Sequence, residues 1–165
     1  MTVAVAETWV EEPLRRFVDE ARVLFALLIH PSGQVLGQHG FTRAVDVMSA
    51  SALAAAIHAS GSAIGKEMES APFGELHHGG AARQIFLART PTPRGDLVLL
   101  SVFDRSSSVG LVRVYFEELR GALAAAAPAA APSPGLAATF EQELNRSLAA
   151  LFGRAEPVGQ PVPDA

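Results

Sequence analysis

The chain is expected to fold as an α/β protein, more narrowly an α+β sandwich, with helices covering a five-stranded antiparallel sheet in the order α-β-β-α-β-β-β-α and a further helix in a C-terminal tail. Three features point there. Leu97-Val98-Leu99-Leu100-Ser101-Val102-Phe103 is an apolar run of strand length that passes through Asp104-Arg105-Ser106-Ser107-Ser108 straight into a long Ala/Leu/Glu segment. Upstream, Ser49 to Met68 is rich in Ala, Gly and Ser, with its large apolar residues at helical spacing. The other apolar segments are short and separated by clusters of Gly, Pro and Ser, as strands are.

The first helix is expected over residues 11–22, where Val10, Leu14, Phe17, Val18 and Ala21 recur at helical spacing. Pro13 suits its first turn, and Glu11 and Glu12 suit the positive end of its dipole. Leu24 to Ile29 reads as a central strand, joined through His30-Pro31-Ser32-Gly33 to a second strand, Gln34 to Gln38. In the Ser49–Met68 helix, Leu53, Ile57, Ile64 and Met68 form one large-residue stripe. Ala54, Ala55, Ala59, Gly61, Ala63 and Gly65 form a small-residue surface, and each of the two glycines costs about 1 kcal/mol against Ala in a helix interior, so that surface should be compensated elsewhere. Three more strands follow at Phe73–His78, Gln84–Ala88 and Leu97–Phe103, the last two joined by the turn-rich Thr90-Pro91-Thr92-Pro93-Arg94-Gly95-Asp96. Leu111 to Phe116 has strand-like composition, but Val112, Phe116, Leu119 and Leu123 keep helical spacing, and the segment is read as helix.

Domain boundaries follow from composition: one domain over residues 1–127, a Pro/Ala linker over 128–136, an amphipathic tail helix over 137–153 and an unpatterned, disordered end over 154–165. Thr139 and Gln142 have capping-box spacing, and Phe140, Leu144, Leu148, Leu151 and Phe152 share one helical face. That face either folds back on the domain or meets a partner.

Bulk chemistry narrows the function. Thirteen basic residues scattered among seventeen acidic ones, with a net charge of −4, argue against a nucleic-acid face. The absence of cysteine excludes disulfides and thiolate metal sites. The N-terminus lacks the basic and apolar regions of a signal peptide, and no unbroken run of about 18 apolar residues occurs, so a cytoplasmic address without membrane insertion is expected. His77 and His78 are adjacent and would point to opposite faces of a strand, which leaves them structural or exposed rather than metal ligands. No G-x-S-x-G elbow occurs, and Ser106-Ser107-Ser108 reads as a helix cap. Gly61-Ser62-Ala63-Ile64-Gly65-Lys66 ends like a phosphate loop but lacks its spacing and upstream strand. No metal, cofactor or catalytic site of its own is expected, and function should lie in surfaces.

In element order over residues 11–127, and most specifically over Leu53–Ala59, Phe73–Gly79 and Val98–Val114, the chain resembles the Roadblock/dynein-light-chain family, in particular its bacterial MglB type. Residues that carry the likeness include Leu76-His77-His78-Gly79-Gly80, Val102-Phe103-Asp104 and Ser108-Val109-Gly110-Leu111-Val112-Arg113. The resemblance implies a homodimer, or a heterodimer with a paralogue, in which the central helices pack antiparallel and neighbouring strands join. The interface would then include Ala54, Ala59, Gly61 and Gly65. It further implies a GTPase-activating regulator of a small Ras-like GTPase in bacterial cell polarity and gliding motility, contacting its partner through Ser51, Ala55, His58, Ser62, Lys66 and Glu69 and through the apolar face of the tail. The alternative is a Roadblock scaffold that binds a paralogue or polarity proteins without stimulating hydrolysis.

Overall fold

The structure, a computed structural model, describes residues 7–40, 45–71 and 73–129, together with residue 146. The tail helix expected from Thr139 and Gln142 onward, with Phe140, Leu144, Leu148, Leu151 and Phe152, lies outside the described residues.

Three helices and five strands alternate as α1 (Thr8–Glu20), β1 (Phe25–Ile29), β2 (Val35–Gly40), α2 (Val47–Glu69), β3 (Glu75–Gly79), β4 (Gln84–Thr92), β5 (Gly95–Phe103) and α3 (Val109–Ala126). The strands form one sheet in the order β2-β1-β5-β4-β3, with every neighbouring pair antiparallel. The two strands buried most completely, β1 and β5, lie inside the sheet, as their nearly unbroken apolar sequences require.

Side chains alternate across the sheet, so β1, β4 and β5 each serve two cores. On one face Ala26, Leu28, Phe86, Ala88, Leu97, Leu99 and Phe103 pack with Val10, Leu14 and Phe17 of α1 and with Val112, Phe116, Leu119 and Leu123 of α3. On the other face Phe25, Leu27, Ile29, Leu87, Val98 and Leu100 pack beneath Ala54 and Ala55 of α2. The serines before α3 are caps and ties: Ser108 Oγ accepts from the Leu111 N–H at 3.2 Å, and Ser107 Oγ donates to the Ala21 carbonyl at the end of α1.

Besides shifts of one or two residues at the ends of other elements, two regions differ from the sequence reading. α1 starts at Thr8, so Pro13 sits inside the helix instead of in its first turn. The extra turn brings Val10, which is fully buried, onto Gly37 of β2, where a Cβ would stand 2.6 Å from Val10 Cγ1. Glycine is what allows α1 this close.

The segment Thr90–Asp96 is strand rather than loop: Pro91 pairs with Asp96 and Thr92 with Gly95, leaving Pro93 and Arg94 as the turn. Gly95 takes φ of 112°, a left-handed conformation that suits glycine. Pro91 is tolerated because of the hydrogen-bond alternation. Arg89 donates toward β3, to the Gly74 carbonyl. Two residues on, the missing N–H of Pro91 points the same way, and among the described residues no β3 rung reaches that far, since β3 begins at Glu75.

Candidate interaction face

α2 begins where the Asp46 carboxylate accepts from the N–H groups of Met48 and Ser49 and from the Ser49 hydroxyl, bonds that hold its pKa below the ordinary carboxylate value. The helix then runs through 23 residues, and what it buries overturns the expected orientation. Ser51, Ala54, Ala55 and Gly65 are buried, with His58 and Ser62 half-buried on the same line. These residues recur at three- and four-residue steps, so they form one face, and that face lies on the chain's own sheet. The large stripe is outside instead: Leu53 is 64% exposed, Ile57 38%, Ile64 52% and Met68 75%.

The assignments of Ser51 and Ala55 to a GTPase-contacting edge, and of Ala54 and Gly65 to a subunit interface, are therefore corrected. These four are covered within the single chain. The reason is steric: small side chains let a helix lie close on a sheet already filled by Phe25, Leu27, Ile29 and Leu100, and leucines on that line would hold it away. The buried Ser51 hydroxyl is satisfied by donating 2.9 Å to the Met48 carbonyl. Of the other expected contacts, Ala59 and Lys66 are exposed and Gly61 half-buried, with no atom within 4 Å of where a Gly61 Cβ would stand. The side chain of Glu69 lies outside the described residues.

His58 sits beside an ion pair on the sheet, Arg89 Nε to Asp96 Oδ2 at 3.1 Å. Partial burial, and then the Arg89 charge, lower the imidazole pKa below its ordinary value, and Asp96 opposes the shift. Ile57, Gly61, Phe73, Leu76 and Leu87 line a shallow groove between α2 and the start of β3.

β3 completes the face, and all five of its residues are exposed. It bonds to β4 on one side only, as the last strand of the sheet. The bonds from Arg89 N–H to Gly74 and from Gly80 N–H to Arg83, with the register Glu75 opposite Ala88, fix its alternation. Leu76 and His78 turn their main-chain groups inward to β4. Glu75, His77 and Gly79 turn theirs outward to the open edge. His77 and His78 do fall on opposite faces: His77 Nε2 is 2.8 Å from Gln84 Oε1 and its ring stacks near Phe103, whereas His78 lies on the α2 side with Leu76. Among the described residues no three metal-ligating side chains converge.

Sequence reasoning missed two parts of this face, the Arg89–Asp96 pair and the attachment of Glu75 to Arg113 of α3 at 2.6 Å. A signal for the open edge was present, because Glu75-Leu76-His77-His78-Gly79 holds a single apolar residue, fewer than any other strand.

α2 is long and apolar enough by length and composition to cross a membrane, with a mean hydropathy of 1.4 over its best 18-residue window. The expectation from unbroken apolar runs did not register this, because serines, glycines and one histidine interrupt the helix. Its small-residue face is nevertheless taken up by the sheet.

No family model and no curated protein sequence matches the chain. Solved structures do. Myxococcus xanthus MglB aligns with a TM-score of 0.67 at 24% identity, over 72% of this chain and 94% of that one. The gliding protein MglB from Thermus thermophilus aligns at 0.63 and 26% identity, over 77% and 93%. A Roadblock/LC7 domain from Streptomyces avermitilis aligns at 0.57 and 16% identity, over 72% and 94%. The sheet order, the helices on both its faces and these alignments agree: the chain has a Roadblock-like fold, close to that of MglB.

Proposed function

We propose that this protein is a dimeric regulator of a small Ras-like GTPase that promotes GTP hydrolysis in bacterial cell polarity and motility. The single observation that supports the assembly is the exposed apolar flank of α2 beside the unpaired edge of β3. Leu53 and Met68 stand equally far from the Ser60–Gly61 step, and Ile57 and Ile64 stand equally far inside them. An antiparallel copy of the same helix, related by a two-fold axis at that step, would set Leu53 against Met68 and Ile57 against Ile64. The open space at Gly61 would let the two backbones approach. Leu53, Ile57, Ile64 and Met68 thus replace Ala54 and Gly65 as the interface, and Gly61 stays in it.

The likeness to MglB supports the GTPase as partner. On this reading α2 supplies His58, Ser62 and Lys66 to the partner face, and it carries no arginine to insert into a nucleotide site. Hydrolysis would then rise through population shift: the dimer binds one arrangement of the GTPase switch segments more tightly and favours it, while the GTPase provides the reacting groups. The scaffold reading is favoured by one observation, that Ser51 and Ala55 are unavailable as contacts.

Sedimentation equilibrium of the full chain and of Ile57→Glu, with phosphate release by a small Ras-like GTPase of the same organism, tests the proposal. A wild-type dimer that becomes monomeric in the variant, and wild-type acceleration that is lost with it, are expected. Binding without acceleration leaves the scaffold. A wild-type monomer that partitions into lipid vesicles would assign the apolar flank to a bilayer and overturn the dimer.

A further inference from the structure

The edge of β3 shows a division of labour that the dimer reading does not explain. Glu75 and His77 offer their main-chain N–H and C=O groups to the open side, and the side chains of these same two residues are tied back to their own subunit. Arg113 Nε on α3 donates to Glu75 Oε1 at 2.6 Å. His77 bonds Gln84 at 2.8 Å and lies with its ring 6.1 Å from that of Phe103, inclined by 21°. Otherwise β3 is exposed at every residue and paired along one side. A strand with so few buried contacts opens locally far more readily than the rest of the sheet. Small ties then matter more there than on a core strand.

We propose that Arg113, through Glu75, and the Gln84–Phe103 seat, through His77, are positioning residues that hold the free rungs of β3 ready to pair with the edge strand of a second copy. The proposal rests on the dimer reading above and adds a specific role for side chains bonded within their own subunit. A strand already held in place loses less conformational freedom on pairing, so association is stronger than the edge contacts alone would give. Arg113 and Glu75 are partly exposed, and one such ion pair has a modest effect, which bounds what its removal can do.

The test compares full-length wild type, Arg113→Ala, and the charge-reversed pair Arg113→Glu with Glu75→Arg. Arg120→Ala serves as control, since Arg120 pairs with Glu117 inside α3. Self-association is read by sedimentation, and hydrogen exchange of the inward Leu76 and His78 amides is read in dilute, dissociated protein. Arg113→Ala should speed that exchange about fivefold and weaken self-association by a similar factor, with the melting temperature of the domain unchanged. The reversed pair should restore both, and Arg120→Ala should change neither. A dimeric wild type whose association and β3 exchange are unaltered by Arg113→Ala would overturn the positioning role alone. Faster exchange with unaltered association would overturn it too, by showing that the held edge is not where copies meet. A monomeric wild type would overturn the dimer reading, and the role with it.

Discussion

The two faces of the sheet are built by opposite rules. Beneath α1 and α3, large side chains from strands and helices fill one core, and Val112, Phe116, Leu119 and Leu123 are all buried within the single chain. Beneath α2 the sheet supplies nearly all the bulk, the helix contributes alanines, and its leucine, isoleucines and two methionines stay in water. Helix amphipathicity normally marks the side that meets the chain's own core. In α2 the most apolar flank marks what the chain leaves unfinished, so the same sequence pattern carries two meanings in one molecule.

The largest effects should separate the finished face from the unfinished one. Phe86→Ala removes a fully buried ring that meets Phe116 edge-on at 5.4 Å, and it should cost about 3–5 kcal/mol in urea unfolding. A loss below about 1 kcal/mol would mean that this core is far looser than its burial indicates. Next is a pair of substitutions on α2. Ala54→Leu should destabilise the isolated subunit by about 1–3 kcal/mol through overpacking against the sheet. Leu53→Ala, one residue away, should stay within about 0.5 kcal/mol in dilute protein while weakening self-association. Equal effects of the two on the dilute protein would erase the distinction between the helix's faces.

Smaller changes sharpen it. Pro91→Ala should cost about 0.5 kcal/mol, the entropy that proline removes from the unfolded chain, because no ladder bond depends on that position. A gain in stability would show that the ring strains β4. The smallest expected effect is on pH dependence. The folded pKa of His58 is lowered, so the unfolded chain binds its proton more readily. Stability should therefore rise as pH climbs from the lowered value through 6.5, the ordinary one, and His58→Gln should flatten that slope. An unchanged slope in the variant would remove His58 as its source.

Most of the element order was legible because it rests on local chemistry. The alternation of apolar runs with Gly, Pro and Ser clusters located the strands, and the serines before Val109 announced the cap that Ser108 makes. The orientation of α2 was not legible, because periodicity reports that a stripe exists and is silent on which neighbour covers it. Leu53, Ile57, Ile64 and Met68 stand out as a stripe by spacing alone, and the volume already occupied by Phe25, Leu27 and Leu100 decides that it faces outward. The β4–β5 hairpin was hidden for a related reason. Two prolines within Thr90–Asp96 argue for loop locally, and the exemption of Pro91 depends on where β3 starts, well upstream in the chain. At the candidate face, Gly61 stands out as one of the small residues of α2 and His58 only through the family resemblance, whereas Glu75 and Arg113 are 38 residues apart and meet only through the fold.

The close seat of Val10 on Gly37 makes those two positions a single volume shared between α1 and the outermost strand on that side of the sheet. A methyl group gained at one must be surrendered at the other. Where this domain diverges, the two should therefore drift as a coupled pair, bulky with bare or small with small, and an alanine at 37 should be tolerated only beside a residue slighter than valine.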